Sequence, residues 1–503
     1  MANIVDRIWQ YATDEPERIA LRTPSDDLSY GELISRAARF GGILRGSGLR
    51  AGDRMVLIAP TRPEFVIAYL GAQLAGVIVV TMNTMATAPE IDWVLADSEA
   101  TLIAAWHTGT AASAAAAAST ARRVRYMALT ADIGMISEYA LPEPISREPD
   151  DTAVLLYTSG TTGKPKGVEL TIANLSHTAR VYTEQLGLRP DDRLGTGLPL
   201  FHVFGQAVAL LTALNIGCPF SLLEKFTPDA MLELIRDHRL TVVAGVPTMW
   251  NAMLHAEGDF GAADLRGLRL AASGGAALPR EVVEAFAARF GCTILEGYGL
   301  TESTGAATYQ APGRTHPPGS AGQALPGTDI EIRDTHGVPV RIGTVGEIHL
   351  RGPSVMKGYW RRADATAAEL SGGWLRTGDL GYLDFDGYLF IIDRLKELII
   401  RGGYNVYPRE VEEVLYRHPG IAAVAVIGIP DAHHGEEVAA AVVPMPGHDL
   451  NAEQIRAWAK ERLSAYKVPH RFAFVAALPI GPTGKVLKRA VDWDALTIDS
   501  TGT

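Results

Sequence analysis

The stretch YTSGTTGKPKG, Tyr157 to Gly167, decides how the rest of this chain is read. It packs three glycines (Gly160, Gly163, Gly167), four hydroxyls (Thr158, Ser159, Thr161, Thr162) and two lysines (Lys164, Lys166) into a short polar loop after the apolar run VLLY. A P-loop requires G-x-x-x-x-G-K-[ST] opening a helix. Here Gly163-Lys164 is followed by Pro165, and the preceding glycine lies three positions upstream. The stretch is therefore not a Walker A motif. An ordinary turn does not call for so many hydroxyls and lysines. Glycine N–H groups can approach an anion because no Cβ intervenes, the hydroxyls add hydrogen bonds, and Lys166 adds charge. Lys164 reads as a solvated side chain.

Composition bounds what such a loop serves. With 503 residues the chain divides into two to four domains. Hydrophobic residues make up 47% and charged residues 20%, as in a globular protein with ample core. The net charge of −11 argues against nucleic acid, which needs a clustered basic surface, and favours small-molecule partners. The two cysteines, Cys218 and Cys292, lack metal or redox spacing and read as buried thiols. MANIVDRIWQ shows no signal-peptide pattern. The most apolar run, Phe65 to Val80, is short for a membrane span and parses as a helix ending near Gly76 followed by a strand. A cytoplasmic protein without a transmembrane segment is expected. Peripheral membrane contact is left open, as is the choice between monomer and homodimer.

Along the first half, RMVLIAP, VIVVTMN and TLIAAW read as buried strands separated by helices, the pattern of a parallel α/β sheet. The alanine-rich segment 110–119 reads as a surface helix. RLGTGLPL, CPFSLLEK, LTVVAGVP, LRLAASGG and CTILEGYG each end an apolar run in Gly, Pro or Ser. In open α/β sheets, ligands bind at such strand ends. The chemistry is thus expected near 157–167, 199–205, 245–250, 273–278 and 296–304. From about residue 327 the pattern turns to alternation (TDIEIRD, GEIHLRG, GYLFIID), a small antiparallel β-subdomain reaching 393. Residues 394–503 read as an α+β domain of ordinary size.

Four further motifs accompany the loop: EGYGLTES (Glu296–Ser303), RTGDLGYL (Arg376–Leu383), DRLKELIIRGGYNVYPREVEE (Asp393–Glu413) and LPIGPTGKVLKR (Leu478–Arg489). Together the five resemble the adenylate-forming superfamily, which includes acyl-CoA synthetases, peptide-synthetase adenylation domains and luciferases. The resemblance covers essentially the whole chain. It implies a large N-terminal AMP-binding domain, residues 1–393 with the β-subdomain, and a mobile C-terminal domain, 394–503. It also implies ATP, Mg²⁺ and CoA as ligands. The expected activity is activation of a carboxylic acid to acyl-AMP with pyrophosphate release, then acyl transfer to the CoA thiol. Such chemistry must hold two anions together, so positioning and preorganised positive charge carry most of the catalysis.

The resemblance assigns roles residue by residue. Thr158, Ser159, Gly160, Thr161, Thr162, Gly163 and Lys166 contact phosphates. Gly274 and Ala276 border the nucleotide, and Tyr298 stacks on adenine. Thr301 contacts phosphate, while Glu302, with Thr158, holds Mg²⁺. Asp379 accepts from the ribose hydroxyls with Arg394 beside it, and Lys485 bridges the carboxylate and the α-phosphate. Lys396 is the hinge, and Gly402 and Gly403 line the path of the pantetheine arm once the small domain turns. Lys485 also sits where bacterial relatives are acetylated, which implies a lysine acetyltransferase as a partner.

The acyl pocket is expected from the strand-end loops: His202, Val203, Phe204, Val246 and Gly299, with Gly205 and Gly305 leaving room. His202 stands where amino-acid-activating relatives carry Asp, and Gly297 where malonate-activating relatives carry Arg. Both departures argue for an uncharged tail. The wording of the motifs is most like medium- and long-chain fatty acid ligases; an aryl-acid CoA ligase, or a ligase loading a carrier protein, is the alternative.

Overall fold

The computed structural model describes residues 3–135, 139–158, 164–431, 433–448, 450–481, 483–493 and 497–498. Ser159, Gly160, Thr161, Thr162 and Gly163, named above as phosphate contacts, lie outside these residues.

Runs rich in Val, Ile and Leu become strands covered by helices on both faces, as parallel sheets require. Among the described residues one sheet has seven strands, in the order Gly358–Tyr359, Lys166–Thr171, Thr152–Thr158, Ile78–Thr81, Arg54–Ile58, Leu102–Trp106 and Arg125–Leu129. The run Phe65 to Val80 divides as its residues suggest: Pro63 opens the helix Pro63–Leu74, Gly76 turns at φ 70°, and the strand Ile78–Thr81 follows. That helix packs tightly on the helix Tyr30–Gly46: a Cβ on Gly71 would stand 2.5 Å from the Ala37 carbonyl oxygen. The alanine-rich segment becomes the helix Thr110–Arg122. It is only half a surface helix, because Ala111, Ala112, Ala115 and Ala118 are buried.

The second sheet has nine strands and includes the parallel set Phe220–Leu222, Leu194–Thr196, Val242–Gly245, Leu270–Ser273 and Ile294–Tyr298. Parallel strands share one carboxyl edge, so the loops that follow them converge there. Its far edge is closed by the hairpin Ile19–Arg22 and Asp27–Ser29, two strands of four and three residues, too short to stand out in the sequence. After Pro199 the chain does not stay a loop: Phe204–Leu211 is a π-helical segment running into the helix Thr212–Asn215.

An antiparallel β-subdomain follows, with Asp329–Arg333, Gly346–Arg351, Trp374–Leu383 and Leu389–Arg394 paired in turn. After a single turn, Leu395–Glu397, the chain builds a small α+β unit. Its helices Pro408–Tyr416 and Ala452–Lys460 pack on strands that include Ile421–Asp431, Gly435–Pro444 and Arg471–Phe474, and its core holds Val411, Leu415, Val438, Ile455 and Phe472. The chain is thus a mixed α/β protein with a large N-terminal and a small C-terminal domain. Cys218 and Cys292 are free and buried, and burial pushes their thiols up to about 12 and about 11. No helix among the described residues is long and apolar enough to cross a membrane.

Candidate active site

The geometry of YTSGTTGKPKG separates it from a P-loop. Strand Thr152–Thr158 pairs antiparallel with Lys166–Thr171, with Tyr157 opposite Gly167 and Thr158 opposite Lys166. The stretch therefore bridges two strands of a hairpin, where a P-loop would lead from strand into helix. Pro165, unable to open a helix in the required way, fits this arrangement.

Beside the hairpin stands Glu302. It lies in the one-turn helix Thr301–Ser303, which follows strand Ile294–Tyr298 and is capped by the Ser303 hydroxyl accepting from the Leu300 N–H at 3.1 Å. Glu302 Oε1 accepts from the Thr158 hydroxyl at 3.3 Å and the Tyr359 hydroxyl at 3.1 Å. The Lys166 ammonium lies 4.8 Å over the Tyr359 ring. Burial raises the Glu302 carboxyl, partly offset by these hydrogen bonds. A partly buried carboxylate beside a hydroxyl is an oxygen-only donor set, the kind that Mg²⁺ selects, and a divalent cation would relieve the cost of desolvating the charge.

A second cluster joins the sheet edge to the β-subdomain. The Tyr298 hydroxyl donates to Asp379 Oδ2 at 2.6 Å, and Arg394 Nε lies 3.2 Å from Asp379 Oδ1. Asp379 is buried, and its carboxylate retains lone pairs for further donors such as vicinal hydroxyls.

Lys485 arrives from the small domain. The Thr248 hydroxyl donates to the Gly484 carbonyl at 2.6 Å, and Gly484 takes φ 80°. A Cβ on Gly484 would stand 2.7 Å from Val246 Cγ2, so this residue must be glycine for the loop to dock. Lys485 Cε then passes 3.5 Å from where a Cβ on Gly275 would be. Burial, and then repulsion from Arg394, lowers the Lys485 ammonium to about 8; Asp379 and Glu302 act in the opposite sense. His202 is pushed down to about 3 by burial and by the charge on Lys485. Its Nδ1 accepts from the Phe204 N–H at 3.3 Å, which leaves the proton of the neutral ring on Nε2.

The expected acyl-pocket residues separate. Phe204 lines a narrow, largely enclosed apolar crevice of about 20 Å³, whereas Val203, Val246, His202 and Gly299 do not. Gly299 packs directly on the Gly305 backbone: a Cβ there would stand 2.4 Å from the Gly305 carbonyl carbon. Gly205 is likewise filled by the Pro199 carbonyl, and Gly305 by Val208. At Gly297 a Cβ would lie 2.3 Å from Tyr309 Cδ2, so an arginine has no place there unless Tyr309 moves. The crevice is instead walled by Tyr182, Leu186, Leu188, Val208, Phe220 and Tyr309, among others. Those residues come from separate segments, and each looks like ordinary core in the sequence.

Gly274 is buried, Ala276 is exposed at the rim, and Lys396 is exposed. Gly402 and Gly403, at φ 55° and 84°, form the exposed turn between strands Ile399–Arg401 and Tyr404–Val406. Near that turn Arg401 pairs with Glu437 at 2.6 Å, and Tyr404 stacks on Tyr466 at 4.9 Å.

The profile of the family described as AMP-binding enzyme matches residues 8–360, and that of the AMP-binding enzyme C-terminal domain matches residues 410–485. The chain is 38% identical to a feruloyl-CoA synthase of Amycolatopsis sp, over 95% of this chain and 96% of that protein. It is 35% identical to a long-chain-fatty-acid–CoA ligase of Mycobacterium tuberculosis, over 97% of both. The crystal structure of ATP-bound MatB from Rhodopseudomonas palustris superposes with a TM-score of 0.89 at 33% identity, covering 97% of this chain and 98% of that one. With a matched profile across most of its length and relatives that span it end to end, the chain belongs to the AMP-binding enzyme family and is an AMP-forming acid–thiol ligase of the adenylate-forming superfamily, acting with ATP and CoA.

Proposed function

We propose that this ligase activates a carboxylic acid with an uncharged tail, and that an aryl or arylalkenoic acid suits it best. The observation that carries this reading is the crevice behind Phe204. No charged side chain lines it, and Tyr182, Leu186, Leu188 and Phe220 in its wall are buried. At about 20 Å³ the crevice holds no more than about one water as it stands, so a planar tail would enter by parting its walls, flanked then by the edge-to-face pair Tyr182 and Tyr309, whose ring centroids are 5.8 Å apart. The feruloyl-CoA synthase similarity agrees with this reading. A medium- or long-chain fatty acid is the second reading, supported by the apolar walls and by the fatty-acid ligase similarity. At ~0.8 kcal/mol per methylene, preference along such a series is graded.

In the first half-reaction a carboxylate oxygen of the acid forms a bond to the α-phosphorus of ATP while the bond to pyrophosphate breaks. Lys485, held by Thr248, would lie between the two reacting anions. Thr301, Lys166 and the Thr158–Gly163 hydroxyls would hold the phosphates, Tyr298 would flank the adenine, and Asp379 with Arg394 would take the ribose. Glu302 and Thr158 would hold Mg²⁺, which supplies charge neutralisation on the phosphates. The neutral His202 adds no charge beside Lys485. In the second half-reaction the CoA thiol adds to the acyl carbonyl and AMP leaves.

The domain division proposed is 1–393, with the β-subdomain from about 327, and 394–503. Lys396 would serve as the hinge that withdraws Lys485 and brings Gly402 and Gly403 to the thiol's path. Lys485 is partly buried here against the large domain, so acetylation would be favoured with the small domain turned away.

Pyrophosphate release measured over aryl acids, arylalkenoic acids and straight-chain acids, with and without CoA, tests the reading. Preference for an aryl or arylalkenoic acid supports it. Preference for long straight chains replaces it with the second reading, and no release with any acid sinks both.

A further inference from the structure

One network in the large domain has no part in the roles assigned above. The helix Ala88–Ser98 lies beside the Tyr157–Gly167 hairpin and touches both of its strand ends. At the first end, the Tyr157 hydroxyl donates to Asp97 Oδ2 at 2.9 Å. At the second, Trp93 Nε1–H donates to the Pro165 carbonyl at 3.2 Å, and the Lys164 ammonium lies 4.6 Å over the Trp93 ring. Lys164 is therefore a partner of Trp93, where the sequence suggested solvent alone. The same helix holds the segment that carries Tyr359. Arg362 pairs with Asp97 Oδ1 and stands 5.9 Å from the Trp93 ring, and Arg361 pairs with Glu99. The Asp97 side chain is only 9% exposed, so its pairing is poorly screened. The Trp360 N–H closes the arrangement by donating to the Gly167 carbonyl at 2.7 Å.

Two side chains one helical turn apart, Trp93 and Asp97, thus tie together the strand bearing Thr158, the strand bearing Lys166 and the segment bearing Tyr359. Of these, Thr158 and Tyr359 hydrogen-bond to Glu302, and Lys166 lies over the Tyr359 ring. We infer that Trp93 and Asp97 are positioning residues for adenylation: they hold Thr158, Lys166 and Tyr359 in register with Glu302, and so act on the ATP-dependent half-reaction alone. This rests on the proposed reading of the hairpin as a phosphate contact.

The energetic logic follows from distance. Electrostatic catalysis depends on groups held in place before the reaction, and displacement by about 1 Å costs on the order of 100-fold. Among the described residues, neither Trp93 nor Asp97 borders the crevice, so acyl specificity and thiol transfer have no reason to change.

Trp93→Ala and Asp97→Ala, made in the full chain, test the inference. ATP affinity is read by calorimetric titration without turnover, and ATP KM by pyrophosphate release. Thioester formation is read from a supplied acyl-adenylate and CoA. The expected result is an ATP KM and Kd raised about fivefold or more, with thioester formation and the KM for the acid within about twofold of wild type. Trp93→Phe, which keeps the ring face but loses the bond to Pro165, should fall between. If either alanine variant fails to fold, Arg362→Lys disturbs the same Asp97 pair from outside the helix and should raise ATP KM in the same direction. Unchanged ATP KM in folded variants, or a parallel fall in both half-reactions, overturns the inference. Wild-type protein that releases no pyrophosphate with any acid overturns the functional reading beneath it, an outcome separate from an active wild type whose variants bind ATP normally.

Discussion

The Thr248 hydroxyl donates to the Gly484 carbonyl at 2.6 Å, across 236 residues of sequence. One hydrogen bond thereby sets the loop of the small domain against the helix Pro247–Leu254 of the large one, and Lys485 follows Gly484 into the site. A lysine near the end of a chain is ordinarily solvated; this one is held in.

Replacing that lysine should separate the two half-reactions. Lys485→Ala is expected to lower pyrophosphate release by roughly two to four orders of magnitude, as when a transition-state electrostatic contact is removed. Thioester formation from a supplied acyl-adenylate should be retained. An equal fall in both, measured side by side, would remove Lys485 from the adenylation step.

The same residue sets a pH dependence. Its ammonium titrates at about 8 in the free protein, so it is charged below that pH and loses its charge above it. The kcat/KM for adenylation, which reports the free enzyme, should therefore fall as pH rises through about 8. Lys485→Arg, charged throughout, should flatten that limb. A limb persisting unchanged in the arginine variant would assign it to another group.

Glu302→Gln keeps the shape of the side chain that Thr158 and Tyr359 contact but removes its charge. Pyrophosphate release should drop about 100-fold or more, and the Mg²⁺ concentration giving half-maximal rate should rise. Wild-type Mg²⁺ dependence in the variant would show that Glu302 holds no cation.

Leu188, 8% exposed in the wall of the crevice, is the place to enlarge the pocket. Leu188→Ala should shift the ratio of kcat/KM values toward acids with longer tails. A thermal-denaturation series should show a cost of about 2–4 kcal/mol, as for other buried leucines. No change in the acid profile would place the tail elsewhere.

Glu296 sits in the middle of the strand Ile294–Tyr298, buried, with its carboxyl pushed up to about 7 by burial against the opposing charge of Arg409. A carboxyl raised on folding stabilises the protein fully below its unfolded value and progressively less as pH rises through 7. Glu296→Gln should thus raise Tm relative to wild type at pH 8, by at most about 3 kcal/mol of stability, and lose that advantage near pH 5. An equal effect at both pH values would mean that the carboxyl does not titrate in this range.

Much of this site was legible before any coordinate. Glu302, Asp379, Tyr298, Arg394 and Lys485 stand in short motifs whose glycines, turns and strand ends are local properties, and the structure gathers them at the carboxyl edge of the nine-stranded sheet and its borders. The crevice was not legible. Tyr182, Leu188, Phe220 and Tyr309 are apolar or aromatic residues in ordinary elements, and nothing nearby in the chain distinguishes a wall from a core. Trp93 and Asp97 were hidden for the same reason, since a tryptophan and an aspartate four residues apart on a helix are unremarkable until Tyr157, Pro165 and Arg362 are placed against them.

By itself, then, the sequence determined the alternation of buried strands and helices, the antiparallel subdomain after residue 327 and the loops that carry the reactive groups. Each of these depends on hydrophobic periodicity and turn chemistry within a few residues. Tertiary structure alone decided that YTSGTTGKPKG spans a hairpin, that Gly299 and Gly205 lie tight against neighbouring backbone, and which side chains wall the crevice behind Phe204. Those outcomes depend on contacts between residues tens to hundreds of positions apart, and close packing, which no local pattern encodes, selects among them.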